Sequence, residues 1–113
     1  AAHHKLDNLL LIVDANGFQA MGTTEEVLSL GNLGAKLRSF DFETSEINGH
    51  NEAQIDATVQ ALWASTIGLP KAIVEKNVKG QGVDFMQNDN RWHYTRLNAD
   101  TYSTALAAVR SGE

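Results

Sequence analysis

The sequence predicts an α/β protein built on a parallel sheet flanked by helices. Three observations carry that prediction. The run Leu9-Leu10-Leu11-Ile12-Val13 is continuously apolar and strand-length, without the alternation of a half-solvated strand. Segments of helical spacing then alternate with short β-type segments, the order that a parallel sheet with right-handed crossovers requires. Two of the helical segments open on an asparagine, Asn32 and Asn51, whose side chain can cap them.

Each element follows in turn. Asp7-Asn8 forms a turn ahead of the first strand, and Asp14-Ala15-Asn16-Gly17 ends it. That strand reads as buried on both faces. Residues 17–31, rich in Gly, Thr and Glu, read as a loop with at most a short helical turn. Asn32 starts a helix to about Phe40, with Leu33, Leu37 and Phe40 on one side. Phe42 to Ile47 is expected as the second strand, closed by Asn48-Gly49. Asn51 opens the clearest helix. Ile55, Val59, Leu62 and Trp63 fall on one stripe, and Gly68 and Pro70, the only proline, end it. Lys71 to Lys76 is a third strand. The polar, Gly-containing stretch 77–98 is longer than an ordinary connection, as functional or partner-contacting loops are. A last helix, about Asp100 to Arg110, is expected to bury Tyr102, Leu106 and Val109. No repeat, low-complexity tract or interior domain boundary stands out, so the chain reads as a single domain. In such sheets ligands sit at the carboxyl ends of strands. The segments after Val13 and after Lys76 both fall there.

Composition narrows the function classes. With 113 residues the chain is long enough for a modest core but not for a two-domain enzyme. Lys and Arg number 9 against 14 Asp and Glu, a formal charge of -5, which argues against a cationic nucleic-acid surface. The absence of Cys removes disulfides, thiolate metal sites and Cys nucleophiles together. No apolar run approaches the roughly 20 residues of a membrane span. The chain opens Ala1-Ala2-His3-His4 without Met and enters a strand almost at once, and so reads as a piece of something longer.

Three segments could carry chemistry. In Asp14-Ala15-Asn16-Gly17-Phe18-Gln19 an Asn oxygen is a hard ligand suited to Mg²⁺ or Ca²⁺, and carbonyls exposed where a strand breaks can complete such a site. Spacing alone favours a plain Asx turn there. In Lys79-Gly80-Gln81-Gly82 a lysine among glycines can reach a phosphate, although a solvated turn lysine is the commoner reading and the Walker pattern is absent. In Asp89-Asn90-Arg91-Trp92-His93-Tyr94 a flat apolar ring stands beside an imidazole that could act on an anionic substrate or a proton. A Trp-anchored loop with a surface His fits that segment equally well. His3-His4 cannot both face one site, and His50 reads as a turn residue. Glu25-Glu26 fit a helix N-terminus better than a metal.

Taken together the segments resemble the transketolase family of thiamine-diphosphate enzymes. The resemblance runs through HHKLDNLLLIVDANGFQAMGTTEEV, EINGHN, IVEKNVKGQGVDFMQNDNRWHY and NADTYSTALAAV. It is most like the separate N-terminal subunit of split transketolases, with this chain as the C-terminal portion of the pyrophosphate-binding domain. It implies that Asn16 is a metal-binding side chain and that the Phe18 carbonyl completes the Mg²⁺ (or Ca²⁺) shell. Lys79 matches a lysine that contacts the diphosphate, and His93 a catalytic histidine near diphosphate and substrate. Gln19 and Ala20 would lie near the thiazolium ring. The implied activity is transfer of a two-carbon ketol unit between sugar phosphates, with the cofactor as electron sink. The implied partners are a second transketolase subunit or domain, which carries the glutamate that activates the cofactor, and a further copy in a homo-oligomer. A cytoplasmic setting fits, with neither nucleic acid nor membrane involved.

Two departures stand out. Tyr94 follows His93 where the family commonly has Gly, which bears on the mouth of the site. No Gly-Asp-Gly, the first half of the family's cofactor signature, occurs in the chain. Its expected place is upstream of Ala1, so these 113 residues alone are expected to fold but not to catalyse. The contrasting reading is a non-catalytic α/β binding or interaction module that reuses the fold.

Overall fold

The computed structural model describes residues 1–112. Its elements are β1 (Leu10–Ala15), β2 (Phe18–Gln19), β3 (Gly22–Thr23), α1 (Thr24–Leu28), α2 (Leu33–Ser39), β4 (Glu43–Asn48), α3 (Glu52–Ala64), β5 (Lys71–Lys76) and α4 (Ala99–Ser111), with short 3-10 turns at Ala2–His4, Asp84–Met86 and Asn90–His93. Their contacts gather into two compact units. One comprises Ala1–Asn16 and Leu30–Asn77, the other Gly17–Ser29 and the residues from Val78 onward.

The first unit is the parallel sheet the sequence predicts, in the order β1-β5-β4. β5 pairs with β1 from Leu10↔Lys71 to Ala15↔Lys76, and with β4 from Glu43↔Lys71 to Asn48↔Lys76. The central strand is therefore β5, whose Lys71 to Val74 are all buried. Ile73 with Ile47 and Leu62 forms the core, against which Leu10, Ile55 and Val59 pack. The stripe read along α3 thus faces the sheet, except that Trp63 is half exposed. The expectation that β1 is buried on both faces is corrected. Among the described residues it is instead an edge strand, with Leu11 38% and Ile12 53% exposed, because β5 is its one sheet neighbour. The caps form as read. Asn32 Oδ1 accepts from the Ala35 N–H at 2.8 Å, and Asn51 Oδ1 from the Gln54 N–H at 3.0 Å.

In the second unit the stretch after Gly17 is more ordered than a loop. A two-residue hairpin, β2–β3, precedes α1. Thr23 caps α1 by accepting the Glu26 N–H, while the Glu26 carboxylate accepts from the Thr23 hydroxyl. Helix α4 starts at a capping box between Asn98 and Thr101. Its expected buried face is corrected. Ala105 is the buried residue, Leu106 is half-buried, and Tyr102 and Val109 are more than half exposed. No helix among the described residues is long and apolar enough to cross a membrane.

Candidate functional site

Asn16 directly follows β1, at the carboxyl end of the parallel sheet. The register that pairs Ala15 with Lys76 brings the ends of β1 and β5 side by side. Three polar side chains meet there. The Asn16 Nδ2 donates to Asp14 Oδ2 at 3.0 Å, and the Asn77 Nδ2 donates to Asp14 Oδ1 at 2.8 Å. The Asp14 carboxylate thus ties the two strand ends together. A cavity of about 380 Å³ opens in the same unit, lined by Ala15, Asn32, Glu46, Val74 and Lys76 among others. Ala15 and Lys76 are the last residues of their strands, so this cavity lies where parallel sheets bind ligands.

The second unit is held by backbone geometry. Gly17 takes φ +78°, a left-handed conformation that glycine adopts without strain, and its carbonyl accepts the Thr24 N–H at 2.9 Å. Phe18 and Gln19 then form β2. This strand packs against the Asn90–His93 turn, and the Asn90 Nδ2 donates to the Ala20 carbonyl at 3.3 Å. The Gln19 Nε2 is buried and has no hydrogen-bond partner among the described residues. An orphaned buried donor of this kind calls for an acceptor from elsewhere.

Lys79 is half-buried, and its carbonyl accepts the Asn88 N–H at 2.9 Å. Gly80 beside it, at φ +75°, cannot be replaced cheaply, since a Cβ would come within 2.6 Å of the Met86 carbonyl oxygen. Asp89 caps the next turn through the Arg91 N–H at 2.9 Å and grips the Arg91 guanidinium with both oxygens. Those side-chain and backbone hydrogen bonds hold the Asp89 carboxyl below the ordinary aspartate range, and the positive charge of Lys79 acts in the same direction. Trp92 is the anchor of the turn. Its indole N–H donates to the Phe85 carbonyl at 2.9 Å, and its ring lies 5.2 Å from that of Phe85. A cavity of about 270 Å³ adjoins it, lined by Phe85, Arg91, Trp92, Thr95 and Thr101. With Trp92 held inward, His93 stands exposed and meets the Tyr94 ring edge-on at 4.9 Å.

Phe18, Gln19, Lys79 and His93 therefore belong to one compact unit, and Asn16 to the other. Sequence reasoning passes over Asp14 and Asn77 as site residues. The signal for Asp14 is its place two residues before Asn16, within reach of a side-chain amide. Asn77 has no signal, because only the parallel register brings it to Asp14. Glu25 and Glu26 accept hydrogen bonds from Ser29 and Thr23 and so complete a capped helix. Among the described residues no cluster of three or more His, Asp or Glu side chains could hold a metal ion.

The fold and these strand-end groups define a parallel α/β protein of the kind that binds a ligand at the carboxyl edge of its sheet. No protein-family model matches the chain. It is 34% identical over 106 residues to an apulose-4-phosphate transketolase subunit of Phocaeicola vulgatus, covering 94% of this chain and 37% of the relative. It is 30% identical to the 6-deoxy-6-sulfo-D-fructose transketolase subunit SqwG of a Clostridium species, covering 96% of this chain and 39% of the relative. The crystal structure of transketolase from Campylobacter jejuni superposes with a TM-score of 0.87 at 24% identity, over 97% of this chain and 17% of that one, a likeness of fold. Sequence and fold together place the chain in the transketolase family. The chain spans less than half the length of these curated relatives.

Proposed function

We propose that this chain is the C-terminal portion of the pyrophosphate-binding domain of a thiamine-diphosphate-dependent transketolase, acting with a second subunit or domain. One observation carries the reading. The unit that holds Lys79 in a glycine turn also holds His93 exposed and keeps the Gln19 amide nitrogen buried without a partner. A cation, an imidazole and an unspent donor in one unit suit an anionic, polyoxygenated ligand.

The residues fit the cofactor in kind. Asn16 Oδ1 is a neutral oxygen donor of the type Mg²⁺ or Ca²⁺ takes, and the Phe18 carbonyl is another. When bound, thiamine diphosphate supplies the electron sink for breaking and making the carbon–carbon bond. Lys79 offsets diphosphate charge, Gln19 donates its spare N–H, and His93 holds or releases a proton at the substrate. The substrate class is a ketose carrying a terminal anion, as the names of the relatives suggest, and the setting is cytoplasmic. Homo-oligomerisation brings two such sites together.

The test is a thermal-shift titration of the intact protein with Mg²⁺ and thiamine diphosphate. Saturation at about 100 times Kd stabilises by about 2.7 kcal/mol, enough to raise the melting temperature by several degrees. Asn16→Ala is expected to abolish most of that shift. No shift in the intact protein overturns the reading. The 113 residues alone are expected to show a weak shift and no ketol transfer.

A further inference from the structure

The structure assigns Asp14 and Asn77 a role as a positioning pair that fixes which end of the Asn16 amide is offered as a ligand. This rests on the reading of Asn16 as a metal ligand for its purpose, but not for its geometry. An asparagine amide has two nearly isosteric ends, and only the oxygen can bind a hard cation. Rotation by half a turn about the last side-chain bond would present the NH₂ group instead. At Asn16 one end of the amide meets a carboxylate, which can accept but not donate. The Asn16 Nδ2 donates to Asp14 Oδ2, so Oδ1 occupies the opposite branch of the amide.

Asp14 needs its own restraint to do this. It ends on an exposed strand edge, where a carboxylate samples several rotamers. Its second oxygen, Oδ1, accepts from the Asn77 Nδ2 at 2.8 Å, across the β1–β5 pair. Both carboxylate oxygens are thereby engaged by amides from two strand ends. The Asn77 Oδ1 is buried without a hydrogen-bond partner among the described residues, and a Cβ on Gly49 would overlap that oxygen and approach the Glu75 Cβ at 3.0 Å. The absent side chain at Gly49 makes the room in which the Asn77 amide sits. The sequence Asn48-Gly49, which reads as a mere strand stop, therefore supports a relay from Gly49 through Asn77 and Asp14 to Asn16. Partners of this kind around metal ligands characteristically change affinity by 10- to 100-fold when removed.

The test has two readouts on the same protein. The first needs no metal. The Asn16 side-chain NH₂ signals are followed by NMR in the wild type, Asp14→Ala, Asp14→Glu and Gly49→Ala. A fixed Nδ2 donor gives a distinct pair with slowed rotation and exchange. Asp14→Ala and Gly49→Ala are expected to shift that pair and speed its rotation and exchange, with backbone signals of β5 unchanged, and Asp14→Glu to restore it in part. An unchanged Asn16 pair in Asp14→Ala overturns the assignment. The second readout is Mn²⁺ affinity in the presence of thiamine diphosphate, by electron paramagnetic resonance on the intact protein. It is expected to fall 10- to 100-fold in Asp14→Ala, and equal affinity overturns the assignment. A wild type that binds no Mn²⁺ would sink the metal-site reading itself, while the first readout still decides the geometry.

Discussion

At the scale of single residues the chain uses charges where apolar groups would be expected. Lys71, at the start of the central strand, is buried, and its ammonium makes no ion pair among the described residues. Its ammonium donates to the Asp7 carbonyl at 2.6 Å and to the Leu69 carbonyl at 3.4 Å, and lies 5.8 Å from the centre of the Trp63 ring. Carbonyl dipoles and an aromatic face replace the counter-ion. Lys71→Met keeps the stem but strands the Asp7 carbonyl. Asp7 is exposed and its carbonyl can turn to water, so the expected loss is about 1–2 kcal/mol rather than the larger cost of an orphaned buried acceptor. The urea midpoint and Trp63 fluorescence check it, and unchanged values would count against the clamp. Asp89 gives a pH dependence of definite sign. Arg91 lowers its folded-state pKa from 3.8, so its contribution is complete above the ordinary aspartate range. It is lost only as pH falls through the lowered folded value. The Asn90–His93 turn should therefore keep its Trp92 fluorescence at pH 4 and lose it in stronger acid. Asp89→Asn should remove that acid transition.

At the scale of elements two glycines separate cheap from costly close approach. A Cβ at Gly34 in α2 would overlap the Glu46 carboxylate and meet Arg38 Nη2 at 3.0 Å. Glu46 can swing aside, losing an exposed ion pair worth at most about 1 kcal/mol. Alanine returns about 1 kcal/mol of helix propensity, so Gly34→Ala should be neutral within about 0.5 kcal/mol. At Gly80 the obstacle is the Met86 backbone and φ is +75°, so neither strain nor overlap can relax. Gly80→Ala should cost about 3 kcal/mol or more, adding positive-φ strain to overpacking. Chemical denaturation of both variants checks the contrast, and similar losses would refute it. Much at this scale is legible in the sequence. Asn32 and Asn51 announce their helices because a cap is a local act between neighbours in sequence. Lys71–Lys76 is legible as a strand from its flanks. The hairpin at Phe18–Thr23 is not, since two residues per strand leave no periodicity to read. Nor is the face of α4, where Ala105 is buried and Tyr102 stands out, because which stripe of a helix packs depends on what lies against it.

At the scale of the whole molecule the sheet explains both what the sequence tells and what it withholds. Leu9 to Val13 and Ala72 to Val74 look alike as apolar runs, yet one makes an edge and the other the centre. Strand order is a long-range property, and no local signal distinguishes them. The candidate residues divide the same way. Asn16, Lys79 and His93 are singled out from local sequence and the family resemblance, whereas Asp14 and Asn77 are joined only by the register of β1 on β5. The exposed edge carries the last prediction. β1 is six residues long, and no charge precedes Asp14 within it. Ile12 is 53% exposed and Leu11 38%. Unpaired strand edges of that kind template pairing with another chain unless a charge, a proline or a bulge blunts them. A net charge of -5 opposes association only weakly at physiological salt, where fields decay over about 8 Å. The 113-residue chain is therefore expected to self-associate as its concentration rises. Ile12→Lys should return it to a monomer. Because that side chain is already half in water, the exchange should cost no more than about 1 kcal/mol of stability. Light scattering across a concentration series decides it: a monodisperse wild-type monomer would mean that the edge is protected in solution by something other than a second strand.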